Sequence, residues 1–451
     1  MRIFFSVGEP SGDEHAAELI REMRARRPEI VATGFGGPTM QPLIEESGGE
    51  LVYPLTELAV MGFARVLPML GRFYRLVKRA EAIFRSNPPD AVVLVDFPGF
   101  NWWIARKARA AGIPVFYYLP PQLWAWAPWR IKKVRRFVDH VLCGLPFEHD
   151  WYVQRGVSAD YVGHPFFDEV AKRPLDNQFL AACRNGPGPT VAVLPGSRTH
   201  EVTLNWPLLQ AVTRQLAQTH PSARFLVANY KPAHRRHCEA RFLEDQQAAG
   251  GAGRLEFHLG RTSEIIEAAD CCLMVSGSVS LELLARQTPA VAVYRGTRLT
   301  EFLARRLVSC RYMSLPNLLI DDELMPEFPF SGSVDPWIEP VSGILDNWIA
   351  NPATRQAVSD RMAALNTSIG ASGASGRAAE VILERMSPLR LARAACRPAG
   401  VMLAPGPPGG WFHTNPAARI AAPASTAHQE SPACPPTPFA SASSVPEPTR
   451  D

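Results

Sequence analysis

The chain has 451 residues, a formal net charge of +4 at pH 7, 46% hydrophobic residues and 20% charged ones. That length exceeds what a single hydrophobic core usually supports, so two domains with appendages are expected. The balanced composition and mild charge argue against a disordered chain or a nucleic-acid binder, and eight cysteines without a C-x-x-C pair argue against a zinc or disulfide framework.

The first run, RIFFSV (2–7), reads as a strand, followed by a helix over EHAAELIREMRAR (14–26). Glu9 and Asp13 cut the opening apolar stretch too short for a signal peptide, and no window approaches the roughly 18 apolar residues of a membrane span. A cytoplasmic protein with buried free thiols is therefore expected. AVVLVDF (91–97) reads as a strand, NWWIARKARAAG as the next helix and VFYYL (115–119) as a strand again. Strands alternating with helices predict a parallel sheet covered on both faces.

The pattern pauses in a Pro- and Gly-containing stretch, about 171–189, and then restarts. TVAVLP (190–195), ARFLVAN (223–229), RLEFHL (254–259), CCLMV (271–275) and AVAVYR (290–295) read as strands of a second doubly wound domain. The predicted organisation is a first Rossmann-like domain over 1–167, a second over 168–350 and helices over 351–386, whose return onto the first domain stays open. A Pro-, Ala- and Ser-rich disordered tail is expected over 387–451. Two such domains in series face each other across a cleft.

Ligands of open α/β sheets bind beyond the carboxyl ends of the strands, so the loops there carry the functional signal. The first is Gly8-Glu9-Pro10-Ser11-Gly12-Asp13, which lacks the spacing of a dinucleotide fingerprint and reads either as a tight turn or as a site loop. In the second, Leu94 to Asn101, Asp96 closes an apolar strand. It reads as a helix cap or as a general base whose pKa is raised by its apolar surroundings. In the third, Gly196-Ser197-Arg198 opens a helix and offers small residues and a guanidinium to a diphosphate; the alternative is an Arg198–Glu201 surface pair. In the fourth, Ser276-Gly277-Ser278 starts a helix, and Glu282 one turn on is placed either for ribose hydroxyls or as a solvated charge. No Asp-x-Asp pair occurs, and Asp321-Asp322-Glu323 reads as an exposed acidic loop rather than a cation site.

Two segments bear on membranes. Phe63, Val66, Leu67, Leu70, Phe73, Tyr74 and Val77 recur at helical steps, with Arg65, Arg72, Arg75, Lys78 and Arg79 between them. That pattern suits an amphipathic helix on an anionic surface or an ordinary core-facing helix. The basic run Arg130 to Arg136 follows Trp124, Trp126 and Trp129, and suits a phosphate or lipid headgroup or a solvated face. No nucleic-acid motif accompanies it.

In this order the segments GEPSGD (8–13), GFGGPTM (34–40), ELAVMG (57–62), VDFPGFN (95–101), LWAW (123–126), LPFE (145–148), YVGHP (161–165), LPGSRTHEV (194–202), SGSVSLE (276–282), VYR (293–295) and SLPNLL (314–319) resemble the lipid-A-disaccharide synthase family over Met1 to about Arg385. The resemblance implies the GT-B fold, in which two Rossmann-like domains hold the active site between them. It also implies a metal-independent, inverting glycosyltransferase without a cofactor. That enzyme moves the sugar of UDP-2,3-diacylglucosamine to the 6-hydroxyl of 2,3-diacylglucosamine 1-phosphate at the cytoplasmic leaflet of the inner membrane of Gram-negative bacteria. It implies Asp96 as base, with Glu9 and Arg198 as further catalytic residues. Gly196, Ser197, Arg198, Ser276, Gly277, Ser278, Glu282 and Asn317 fall on the UDP side. Ser11, Asp13, Met61, Phe63, Trp124, Trp126 and Arg130 fall on the acceptor and lipid side. Peripheral membrane attachment is expected and a homodimer stays open. Arg65, Pro120 and Ala127 depart from the family pattern, all in the presumed acceptor domain.

Overall fold

The expected strand β1 forms over Arg2–Val7, and the first sheet continues with β2 (Val31–Gly36), β3 (Leu51–Pro54), β4 (Ala91–Val95), β5 (Val115–Tyr118), β6 (His140–Cys143) and β7 (Ala159–Tyr161). This computed structural model describes residues 1–59, 69–249, 255–307, 310–370 and 372–395. The seven strands are parallel in the order β3-β2-β1-β4-β5-β6-β7. A second parallel sheet is built from β8 (Thr190–Leu194), β9 (Arg224–Asn229), β10 (Leu255–Leu259), β11 (Cys271–Val275), β12 (Ala290–Gly296) and β13 (Glu327–Ser331), in the order β10-β9-β8-β11-β12-β13. The doubly wound α/β class expected from the sequence is what forms. In both sheets the order reverses beside the first strand, and that reversal opens a crevice at the strand ends.

Strand periodicity divides each sheet between two cores. Phe4, Val92, Leu94, Val115 and Tyr117 face one helical layer, while Ile3, Phe5, Val93, Val95 and Phe116 face the other. In the second sheet Cys271 and Cys272 are buried on opposite faces, one in each core, so these neighbours are free thiols. Both layers are needed because a parallel sheet exposes apolar side chains on each face.

Several boundaries differ from the sequence reading. The helix expected from Glu14 begins at Pro10, whose missing N–H is harmless in a first turn. The strand expected to run through Phe97 ends at Val95, because Asp96 and Phe97 both turn left-handed. Strands β2, β3, β6, β7 and β13 carry too little apolar alternation to be read in advance. In β2 two glycines and a register shift against β3 dilute the pattern. The expected tail boundary at 387 is corrected, since the helix Ala374–Ala395 runs through it; 396–451 lie outside the described residues.

All described residues belong to one compact unit, Met1–Arg397. Its last helix packs Ala378, Ala379, Ile382, Leu383 and Met386 into the core beside the helix Pro10–Arg26. Asp168 accepts hydrogen bonds from the amides of Gly373 and Ser375 at that helix's start, and Arg377 donates to the Val162 carbonyl at 2.9 Å.

Candidate active site

Asp96 and Phe97 are the two residues between β4 and the helix Pro98–Ala110, with φ of 46° and 44°. Left-handed backbone outside glycine costs about 1–3 kcal/mol per residue and persists only where its surroundings enforce it. Here the Asp96 carbonyl accepts from Asn101 Nδ2 at 2.7 Å and from the Tyr117 hydroxyl at 2.8 Å. Fully buried Asn101 also donates to the carbonyls of Ser6 and Val95, and the Ser6 hydroxyl donates to Asn101 Oδ1 at 2.7 Å. The Phe97 ring covers Gly8 so closely that a Cβ there would stand 2.2 Å from Cδ1. Ser6, Asn101 and Tyr117 thus hold the turn. None was singled out as a site residue: Ser6 and Tyr117 act across strands that only the sheet order brings alongside, and Asn101 acts on the backbone of its own loop.

Asp96 is left half-buried. Burial raises its pKa, while a backbone hydrogen bond from Phe97 and the charge of His15 pull the other way. Glu9, at the N-cap of the helix Pro10–Arg26, is also raised, first by burial and then by repulsion from Asp96; Arg198 opposes this. One carboxyl therefore feels Asp96 of the first sheet and the guanidinium of the second sheet's Gly196–Arg198 turn. Ser11 is exposed beside it.

Asp13 needs correction as an acceptor residue. It is 2% exposed, and its oxygens accept from the amides of Gly37 (2.8 Å), Thr39 (2.8 Å) and Met40 (3.3 Å). Its carboxylate ties the loop after β2 to the first helix and is buried out of reach of a sugar.

On the second sheet, Gly196 follows β8 with φ +107°, and a Cβ there would press on Glu201 Cβ at 3.1 Å and stand 3.8 Å from Val275 Cβ. Because β8 and β11 are neighbours, this turn lies against the exposed Gly277-Ser278 turn after β11. Arg198 precedes the helix Thr199–Thr219 and pairs with Glu201 at 2.7 Å, the surface pair weighed above, yet its side chain stays 72% exposed. Gly196→Ala is expected to destabilise the protein by at least about 1 kcal/mol, since φ is wrong for an L side chain. A lowered urea midpoint at unchanged m-value is the readout, and an unmoved midpoint would show that the turn reshapes freely.

Two donor-side expectations are corrected. Glu282 is neither solvated nor open to a ribose: its side chain is 4% exposed and pairs with Arg286 Nε at 3.2 Å and Arg173 at 3.6 Å. The helix Val279–Ala285 turns that face toward the helix Phe166–Lys172, and a buried carboxylate there needs cationic partners. Asn317 is fully buried and saturated. Its Nδ2 donates to the Met325 carbonyl (2.7 Å) and Glu327 (2.9 Å), and its Oδ1 accepts from the amides of Leu324 and Met325 at 2.8 Å each. An asparagine with both ends filled has nothing left for a nucleotide.

On the acceptor side, Trp124 Nε1 donates to buried Glu148 at 3.2 Å, and burial pushes the Glu148 carboxyl up to about 8. Trp126 is 40% exposed with the Arg130 guanidinium 4.5 Å over its ring. Met61 and Phe63, with Arg65, Val66 and Leu67, lie outside the described residues. Of the remaining amphipathic pattern, the helix Leu70–Ser86 buries Val77 and also Leu76, while Leu70 (57%) and Tyr74 (63%) face outward. Asp322 of the acidic loop pairs with Arg361 at 2.7 Å.

Comparison with known proteins bears on the family and the fold. The family model described as lipid-A-disaccharide synthetase matches residues 3–341. The lipid-A-disaccharide synthase of Myxococcus xanthus is 35% identical over 396 residues, covering 86% of this chain and 99% of its own length. That of Alkalilimnicola ehrlichii is 38% identical over 331 residues, covering 73% and 85%. Among solved structures, the UDP-GlcNAc 2-epimerase of Neisseria meningitidis bound to UDP-GlcNAc superposes with a TM-score of 0.54 at 11% identity, over 86% of this chain and 100% of that one. The glycotransferase of kitacinnamycin superposes with a TM-score of 0.54 at 16% identity, over 85% and 98%. These likenesses show the fold, the two-sheet GT-B architecture.

Proposed function

The chain belongs to the lipid-A-disaccharide synthase family, a glycosyltransferase family of lipid A biosynthesis, and from that premise we propose how its own residues divide the reaction. The first half, 1–167, takes the acceptor and the second, 168–350, the UDP-sugar, with the helices that follow fastening the two together.

In this reading the Asp96 carboxylate removes the proton from the acceptor 6-hydroxyl as its oxygen attacks the anomeric carbon. The bond from that carbon to the UDP oxygen breaks, the configuration inverts, and the proton stays on Asp96. Charge developing on the leaving diphosphate meets Arg198 and the first-turn amides of the helix Thr199–Thr219, where the helix dipole favours an anion. The Gly196-Ser197 and Ser276-Gly277-Ser278 turns admit the phosphates closely. Glu9, between base and guanidinium, orients the attacking hydroxyl. The observation that carries this reading is that Glu9 lies in the fields of both Asp96 and Arg198.

Arg198→Ala tests the donor side. UDP affinity measured by calorimetry is expected to fall about tenfold or more, the worth of a charge-assisted contact. Unchanged affinity would remove Arg198 from the donor site.

The acceptor is a lipid, and the outward layer over the first sheet suits a bilayer surface. Leu70, Tyr74, Trp103, Trp126 and Trp129 are exposed there, with Arg72, Arg75, Lys132, Lys133 and Arg136 among them. Apolar side chains rimmed by cations bind anionic headgroups at an interface. No helix of the described residues is long and apolar enough to cross a membrane. Peripheral attachment is thus part of the proposal, read by co-sedimentation with anionic vesicles. The homodimer left open by the sequence is tested by sedimentation velocity.

A further inference from the structure

The Arg198 turn leads into the helix Thr199–Thr219, whose own backbone secures its first residues poorly. Pro207 stands inside that helix and has no N–H to give the Thr203 carbonyl, so the hydrogen-bond ladder is interrupted between the first two turns and the rest. Asn205, 1% exposed, supplies a different anchor. Its Nδ2 donates to the Glu201 carbonyl at 2.8 Å, and its Oδ1 accepts from the Arg295 amide at 2.7 Å. Arg295 adds a bond of its own, with Nη1 donating to the Leu204 carbonyl at 3.3 Å. Arg295 lies at the carboxyl end of β12, which is separated from β8 by β11. The tie therefore joins the helix that follows β8 to a strand that β8 itself does not touch.

From Glu201 the path of contacts continues to the guanidinium. Glu201 is 7% exposed; its Oε2 accepts from the Arg198 amide at 3.2 Å and its Oε1 from Arg198 Nη1 at 2.7 Å. The second small-residue turn hangs on the same strand, because the Ser276 amide donates to the Val293 carbonyl of β12 at 3.1 Å. The end of β12, Val293 to Arg295, thus anchors both turns.

We infer that Asn205 is a positioning residue for the donor site: it fixes the Arg198 turn relative to the Ser276 turn, so that one diphosphate meets both. The inference rests on the reading in which these turns receive the UDP phosphates. Asn205 is too deeply buried to touch a ligand, and both ends of its amide are satisfied within the protein. It acts through the Glu201 main chain and carboxylate on Arg198. Donors held in place before the ligand arrives have less to lose in ordering when it binds, which raises affinity.

The test is UDP affinity by calorimetry, with donor and acceptor KM, for the full chain as wild type, Asn205→Ala, Asn205→Ser, Arg198→Ala and the Asn205 variants combined with Arg198→Ala. Asn205→Ala is expected to lower UDP affinity about fivefold, the worth of a typical internal hydrogen bond. The donor KM rises in step, while the acceptor KM stays within about twofold. Asn205→Ser separates the two bonds: its hydroxyl still donates to the Glu201 carbonyl one turn back, but is too short to reach the Arg295 amide. It is expected to lose as much affinity as alanine. In the Arg198→Ala background the Asn205 changes are expected to lower affinity by less than about twofold, because the side chain through which they act is gone. If Asn205→Ala does not fold, Asn205→Ser carries the comparison in both backgrounds. Wild-type UDP affinity in a folded Asn205 variant overturns the inference. So does a fivefold loss repeated without Arg198, or an acceptor KM that rises with the donor KM, which marks general loosening. If Arg198→Ala itself keeps wild-type UDP affinity, the donor-site reading fails and this inference with it; if Arg198→Ala weakens UDP while the Asn205 variants do not, the inference alone fails.

Discussion

Asp96→Asn is expected to lower turnover about 100-fold or more while UDP-sugar affinity stays within about twofold, because general-base catalysis contributes roughly 10²–10⁴ in rate. The substitution suits this position. Asparagine tolerates the left-handed backbone that Asp96 adopts at φ 46°, and the Asn101 and Tyr117 contacts go to the main-chain carbonyl, which the variant keeps. The shape of the turn is thereby preserved and the proton acceptor alone is lost.

The pH dependence follows from the raised pKa. Below it the wild-type carboxyl is protonated and cannot serve as base, so kcat/KM climbs as pH rises through a pKa that burial has raised from the ordinary aspartate value. Stability runs the other way. A carboxyl raised by folding contributes stability below its unfolded pKa, and that contribution is lost as pH rises through the folded value. The ionised form of the desolvated Asp96 is a burden that asparagine removes. Thermal melts at pH 7.5 should show Asp96→Asn no less stable than wild type. Wild-type turnover would exclude Asp96 as base, and a melt several degrees lower would trace the loss of activity to misfolding.

Asp13→Ala is expected to cost about 3 kcal/mol or more of stability, a magnitude set by counting donors. The three amides of Gly37, Thr39 and Met40 end on this one buried carboxylate. Each buried N–H left without a partner costs about 1–3 kcal/mol. Asp13→Asn keeps one carbonyl oxygen but turns an NH₂ toward donors, so it should fall between alanine and wild type. Urea unfolding followed by circular dichroism reads both variants. A midpoint for Asp13→Ala equal to that of wild type, with activity lost, would return Asp13 to the acceptor role that the sequence suggested.

Asp13, Glu282 and Asn317 share one reason for having been read as ligand contacts. A polar residue at the mouth of a strand–helix loop looks available in a sequence, where nothing shows what lies opposite. Asp13 is consumed by a loop 24 to 27 residues on, and Asn317 by the 324–327 segment. Glu282 is consumed by Arg286 one turn on and by Arg173, which follows the helix Phe166–Lys172. The Gly196 turn was legible as a turn, because its signal is the backbone conformation of the residue itself. Asp96 was legible for a similar reason: a carboxyl closing a run as apolar as Ala91–Val95 is costly wherever the strand lies.

By itself the sequence determined the doubly wound class, the strands of both sheet centres, the order of the loops and the family they belong to. Buried parallel strands and strand–helix turns are written in local periodicity and residue type. The tertiary structure alone decided which polar side chains stay open to a ligand, that Asn101 and Tyr117 clamp the Asp96 turn, and that Asn205 ties the start of the helix Thr199–Thr219 to β12. Such pairings depend on which strand lies beside which and on how the halves meet. A charge finds its partner through space, and its neighbours in the chain do not specify that partner.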